Sequence, residues 1–502
     1  MQDPNPRKAK TAGKNMVKRG RDVMRFFIGD PIRNMWSGLN GSEYCIEQLE
    51  RPHHGTSSPL FPLDLQPKSR SYIFIMQAIA AGLSTEHQDA IPNPNLNPAA
   101  VGSHHAADNV NSVVSATAHY AGPKSSALHA VTPLLYSKVL SERTGHDVYL
   151  KLDCWQPSGS FKIRGIGAEI MSAYVKYGDK THIVTSSGGN AGLAAAVASK
   201  TLGVKCTVIV PRRTEASIVR TLKELGAEVD NDKAEAWDDA DKMARQILER
   251  EPEATYVHPF EGEALTKGHA TLVDEIHVQL GEAGVKDSRP DMIVCSVGGG
   301  GLIRGIIHGI EATASAHPEF GKPQLVGVQD FGADSFSLSY NQWLRDGHQG
   351  EPSVISIPAI VSKATSMGAK TSSATALLAA CRYSGLTTNP HANDSTTKSL
   401  LSTLVVDDAI SGAAAAQFYK DHDIMVEMAC GAALVPVYQK RILDRLLSES
   451  GEGPGTEATK KTIAIVVCGG SKIDKETLQQ YEAEYGTADD GNSRVLLNGQ
   501  SL

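Results

Sequence analysis

Lys162 stands in the run Pro157-Ser158-Gly159-Ser160-Phe161-Lys162-Ile163-Arg164-Gly165, where glycine and small hydroxylated residues let the chain wrap closely around a ligand. A lysine held partly out of water offers a neutral, nucleophilic amine near pH 7. Far downstream, the apolar segment Met292 to Val297 runs into four consecutive glycines, Gly298 to Gly301. Consecutive glycines let backbone N–H groups approach an anion, and a helix opening just after them adds its positive end. A tight turn seldom needs four glycines, so the run reads as a phosphate cradle. Ile303 and Arg304 stand where the third glycine of G-x-G-x-x-G would fall, which disfavours a dinucleotide. No Gly-Lys-Ser/Thr follows at the spacing of a nucleotide-binding P-loop either.

A reactive amine and a separate phosphate cradle are what pyridoxal phosphate requires, since it carries an aldehyde at one end and a phosphate ester at the other. Ser186-Ser187-Gly188-Gly189-Asn190-Ala191-Gly192 is a second polar loop opening a helix. Its hydroxyls, amide and N–H groups suit a substrate carboxylate, although a serine-capped helix start is equally consistent with the residues alone. Cys468 ends an apolar strand and precedes Gly469-Gly470-Ser471. Alone it would be a buried, inert cysteine; beside the other loops it becomes a candidate cofactor contact.

The elements that position these loops alternate. Val148 to Leu152, His182 to Thr185, Cys206 to Val210, Met292 to Val297, Leu325 to Val328 and Ile463 to Val467 read as strands. Helical segments fall between them: Ser160 to Lys176, the Ala-rich stretch after Asn190, Ile218 to Leu225, and Leu302 to Ala312. That alternation predicts an α/β fold with parallel sheets covered on both faces. Ligands in such sheets sit beyond the carboxyl ends of the strands, where the loops after Thr185, Val297 and Val467 all fall.

The 502 residues carry 21% charged and 41% hydrophobic side chains, as a globular protein does, and the net charge of -7 argues against a general nucleic-acid surface. The seven cysteines are widely spread without a CxxC pair, so neither a disulfide framework nor a zinc site is indicated. No apolar run reaches membrane-spanning length. Residues 1 to about 120 are rich in Pro, Asn, His and Ser and read as a mostly disordered extension. Its pairs His53-His54 and His104-His105 lack Cys or carboxylate partners at ligand spacing and read as loop histidines. The basic start reads as a solvated tail, an organelle presequence being weakened by Asp3, Asp22 and Asp30. A catalytic domain is expected over 121–485, with a smaller subdomain at about 170–262 and a C-terminal tail over 486–502.

Together, Pro157 to Lys162, Ser186 to Gly192, Gly298 to Leu302 and Cys468 to Ser471 resemble the L-serine/L-threonine dehydratases, in the tryptophan-synthase-β-like, fold-type-II group of pyridoxal-phosphate enzymes. The likeness runs from about residue 126 to about 482 and includes Val426 to Leu434. It implies two open, mostly parallel three-layer αβα subdomains with the cofactor in the cleft between them. It also implies that Lys162 holds the cofactor as a Schiff base and serves as general base, with Phe161 packed on the ring and Asn190 at the ring hydroxyl. Gly298, Gly299, Gly300, Gly301 and Leu302 would hold the phosphate, and Cys468 would face the pyridine nitrogen. A neutral thiol there makes the ring a weaker electron sink than a carboxylate would, which suits elimination better than transamination. Ser187, Gly188 and Asn190 would surround the substrate carboxylate.

The resemblance further implies a monovalent cation such as K+, held by backbone carbonyls at Gly298, Ala333, Met367 and Ala369 and side chains at Gln329 and Ser335. The chain departs from the family pattern at Gln329, where members carry glutamate, and at Lys472, where asparagine is usual. At Gly188 alanine or serine is also seen. The implied reaction is α,β-elimination of L-serine to pyruvate and ammonia, and of L-threonine to 2-oxobutanoate, by a cytoplasmic homodimer (or a mitochondrial one) with no nucleic-acid or membrane partner. Serine racemisation and β-replacement are the alternatives within the fold; a non-catalytic relative is the alternative outside it. Biosynthetic threonine deaminase is disfavoured, because the 34 residues after Cys468 are too few for a regulatory domain.

Overall fold

The computed structural model describes residues 127–348, 350–386, 398–449, 460–486 and 493–502. The extension expected over residues 1 to about 120, with its histidine pairs and basic start, lies outside them. Strands in chain order are β1 (Leu134–Tyr136), β2 (Asp147–Lys151), β3 (His182–Thr185), β4 (Lys205–Pro211), β5 (Glu228–Ala234) and β6 (Ala254–Tyr256). They continue with β7 (Met292–Ser296), β8 (Gln324–Asp330), β9 (Leu401–Val406), β10 (Thr462–Val466), β11 (Val495–Leu497) and β12 (Gln500–Ser501). One sheet runs β1-β2-β10-β7-β8-β9-β11-β12 and the other β5-β4-β3-β6. The smaller sheet is wholly parallel, and so is the run from β2 to β9 in the larger; β1, β11 and β12 add antiparallel edges. This is the α/β, two-sheet architecture expected of fold type II.

Every residue of β7, β8 and β9 is buried, which is why near-continuous apolar runs form them: helices cover both faces. The polar strand β5, Glu-Val-Asp-Asn-Asp-Lys-Ala, has only β4 as neighbour and lies half open to solvent. The smaller sheet spans His182 to Tyr256, inside the stretch 170–262. Residues expected only as a C-terminal tail supply β11, which pairs with β9, and Asn498 bonds both the N–H and the carbonyl of Thr403 there. No helix among the described residues is long and apolar enough to cross a membrane.

Six helices bear on the site: α1 (Lys162–Tyr177), α2 (Asn190–Leu202), α3 (Glu263–Glu282), α4 (Gly301–Ala316), α5 (Ser335–Arg345) and α6 (Met428–Tyr438). α1, α3 and α4 pack in sequence, brought close by Gly268, whose added Cβ would strike the Arg164 carbonyl, and Gly305, whose Cβ would strike His269. Arg164, two residues after Lys162, is fully buried and pairs with Asp153 at 2.7 Å and Glu275 at 2.6 Å, while Lys151 joins Glu275 at 2.6 Å. Burial alone would raise the Asp153 carboxyl; Arg164 beside it overrides this and holds the group below its ordinary value. Breaking such a buried pair costs several kcal/mol, roughly 3–5, because the surviving charge is stranded. The first turn of α1 is thereby fixed to β2 and α3.

Candidate active site

Lys162 opens α1 and is half-buried, with its Nζ donating to the carbonyl of Pro259 at 2.7 Å. Loss of water around the amine lowers its pKa to about 8, with Cys468 acting in the opposite sense. A neutral carbonyl partner leaves the lone pair of the deprotonated amine free for covalent chemistry. The segment holding that carbonyl also shapes the glycine loop: the Phe260 ring lies against Gly299, where a Cβ would collide with it, and Phe260 Cα would lie 3.0 Å from a Cβ on Gly301. Gly300 has φ +96, in the left-handed region that glycine favours. Ser373 N–H donates to the Gly299 carbonyl at 2.9 Å. α4 then begins with no side-chain cap, so its first N–H groups remain open to an anion.

The lysine loop and the cysteine loop are zipped together. Phe161 N–H donates to the Cys468 carbonyl at 3.0 Å, Gly470 N–H to the Gly159 carbonyl at 2.9 Å, and Ser160 bridges Gly469. Cys468 is buried with its Sγ 3.4 Å from Ser296 Oγ, and Cys430 of α6 lies beside it. Three thiols spread along the chain, Cys154, Cys295 and Cys430, surround Cys468, each pushed upward first by burial.

Asn190 joins the third loop to these two. Its Oδ1 accepts from Ser471 N–H at 3.0 Å and Ser471 Oγ at 2.9 Å, and its Nδ2 donates to Glu427 Oε1 at 3.3 Å and Ser366 Oγ at 3.4 Å. α2 has Gly189 as its N-cap with no side-chain bond, so the serine-capped start does not occur and the helix end faces its loop open. Ser187 and Gly188 lie in that loop, half-buried, with the Ser187 carbonyl pressed against Gly192, where a Cβ could not stand. Ser186 Oγ anchors the loop at 2.9 Å to Tyr256, which bonds Asp241.

Sequence reasoning singled out neither Pro259 nor Phe260, and a Pro-Phe step carries no chemical signature. Glu427 it quoted only within a similar stretch. Glu427 is buried and accepts from both Asn190 and the Lys472 N–H, the latter at 2.8 Å, and its carboxyl fills the space a Cβ on Gly470 would need. Because Lys472 contributes a backbone group, the departure from asparagine costs that contact nothing. His269 was also missed: fully buried, it sits 5.2 Å from the Phe161 ring with neither nitrogen hydrogen-bonded among the described residues. Desolvation, then Lys162, hold its pKa well below the ordinary value, so the ring is neutral.

The residues implied for a cation also converge, but on one another. Gln329 Nε2 donates to the Ala333 carbonyl at 2.8 Å, Gln329 Oε1 accepts from Ser337 N–H at 2.8 Å, and Ser335 Oγ donates to the Ala369 carbonyl at 3.0 Å. Gly298 faces Met367, whose carbonyl would lie 3.1 Å from an added Cβ.

An inward amine of lowered pKa, a glycine cradle at an uncapped helix start and a buried thiol fit pyridoxal phosphate. The family model of the pyridoxal-phosphate dependent enzymes matches residues 126–469. A human protein named L-serine dehydratase/L-threonine deaminase is 34% identical over 359 residues, covering 72% of this chain and 96% of its own. An L-serine dehydratase of Saccharomyces cerevisiae is 33% identical, covering 69% and 94%. Among solved structures, a fungal L-serine ammonia-lyase from Rhizomucor miehei aligns with TM-score 0.58 and 28% identity over 71% of this chain and 99% of its own.

Proposed function

Because the chain belongs to the pyridoxal-phosphate-dependent enzymes, we propose that it is an L-serine ammonia-lyase, eliminating water from L-serine to give pyruvate and ammonia, and acting likewise on L-threonine. When bound, the cofactor withdraws electrons from the substrate α-carbon. Lys162 would hold it, Phe161 would pack on it, Gly298 to Leu302 would take its phosphate, and Cys468 and Asn190 would sit at the ring. The observation that carries the reading is the Lys162 amine, turned inward to the Pro259 carbonyl with its pKa lowered to about 8. Such an amine accepts a proton at neutral pH, which is what removal of the α-proton requires. Ser187, Gly188 and the open start of α2 would bind the substrate carboxylate. The proposal extends to a cytoplasmic homodimer, supported by the family resemblance alone.

The test supplies the purified full chain with pyridoxal phosphate and L-serine and measures pyruvate, ammonia and the chirality of residual serine. Equal amounts of pyruvate and ammonia are expected with residual serine remaining L; Lys162→Ala should lose at least roughly a thousandfold in turnover. D-Serine without pyruvate would make the protein a racemase, and an undiminished Lys162→Ala would remove the assignment.

A further inference from the structure

Gln329 is fully buried at the end of β8, and neighbours fix which way its amide points. Ser337 N–H can only donate, so the atom 2.8 Å from it is the oxygen; the nitrogen therefore faces the Ala333 carbonyl. These two partners are four residues apart at the start of α5, where a helix would ordinarily bond the later N–H to the earlier carbonyl. Here the Gln329 amide lies between them and satisfies both. Asp334, the N-cap of α5, makes no side-chain cap bond, so Gln329 does the capping from outside the helix.

The group this arrangement displaces is a cation. A carbonyl that accepts one hydrogen bond keeps a second lone pair, so what opposes an ion is the Gln329 N–H pointed at the Ala333 carbonyl, into the space a cation would share with that oxygen. Gln329 presents an N–H where a ligand oxygen would be required, and its own oxygen is turned to Ser337. Nor does the next carboxyl supply a charge: Asp330 follows on the opposite face of the strand and bonds Ser411. The residues do not fit the cation that the family resemblance implies.

We infer that the Gln329 side-chain amide stands in for the monovalent cation, so that the turn joining β8 to α5 is locked by the chain itself and the protein needs no such ion. Replacing the amide by a carboxylate removes the donor that faces Ala333 and sets two oxygens against each other. A positive ion would then relieve the repulsion.

The inference rests on family membership but not on the proposed reaction, because thermal melting reads it without substrate. Holoenzyme is melted in KCl, NaCl and choline chloride at equal ionic strength, with turnover measured in parallel. The wild type is expected to melt within about 1 °C in all three, with rates within about twofold. Gln329→Glu is expected to melt lower in choline and to recover saturably with K+ or Na+. A wild type that K+ stabilises or activates saturably, fivefold or more, overturns the inference. So does a folded Gln329→Glu that is equally indifferent to the ions; should that variant not fold, the wild-type comparison decides alone.

Discussion

Two neighbouring strand–turn–helix units of the large sheet solve one problem in opposite ways. β7 and β8 pair directly, Ser296 opposite Val328, so both turns begin at nearly the same level of the sheet. After β7 the turn is Val297 and three glycines and α4 starts without a cap; at the end of β8 Gln329 reaches across and closes the first turn of α5. The first N–H groups of a helix must bond something. Where the chain provides the partner, the turn is structural; where it withholds one, a ligand completes it. The fold alone therefore does not mark the binding loop. What marks it is the glycine run at an open helix start, since other helices here also begin without a side-chain cap.

The open turn should be the more fragile towards added bulk. Gly299→Ala places a Cβ within collision distance of the Phe260 ring, and that ring follows the carbonyl bound by Lys162. Overpacking of this kind costs about 1–3 kcal/mol of folding stability. The apoenzyme is expected to melt lower accordingly, and equilibrium titration with pyridoxal phosphate to show weaker binding where the cradle has shifted to relieve the clash. Unchanged affinity would mean that Phe260 moves aside freely and that the cradle is not shaped by it.

A smaller effect concerns the amine beside that turn. With a pKa lowered to about 8, Lys162 gains neutral amine tenfold per pH unit up to that point. Cofactor uptake by the apoenzyme, followed by absorbance, should rise about tenfold from pH 6.5 to 7.5 and level off above about 8. The folded pKa is below the ordinary 10.5, so the unfolded chain binds more protons between the two values, and apoenzyme stability should increase with pH across that window. Uptake that keeps climbing towards 10.5 would place the amine in water.

The contrast between the turns also explains what was legible beforehand. β7, β8 and β10 declared themselves as apolar runs because both their faces are covered, and Gly298 to Gly301 because four glycines have no commoner use. β5 gave no sign, since an edge strand of Glu, Asp, Asn and Lys looks like a loop. Pro259 acts through a backbone carbonyl, which every residue owns. The convergence of Cys154, Cys295 and Cys430 on Cys468 is tertiary, produced by strands adjacent in the sheet but distant in the chain and by α6 packed against them. Gln329 was seen as a lost charge; that it supplies a donor in exchange required the position of Ser337.

The smallest expected effect tests the other side of the closed turn. Asp330 follows Gln329, is fully buried, and has one oxygen accepting from Ser411 and the other without a hydrogen-bond partner among the described residues. Burial, with Asp408 and Asp407 adding to it and the Ser411 bond opposing, raises its pKa well above the ordinary 3.8. The folded state thus keeps a proton that the unfolded chain releases, and stability falls as pH rises from about 3.9 towards the raised folded value. Asp330→Asn, close in shape to the protonated acid, has no proton to lose. It is expected to melt roughly 2–4 °C above the wild type near pH 8 and to converge with it near pH 4. A difference that stays constant across pH would mean that Asp330 titrates in the fold as it does in the unfolded chain, and one that widens towards acid that it is ionised in the fold beside a positive charge.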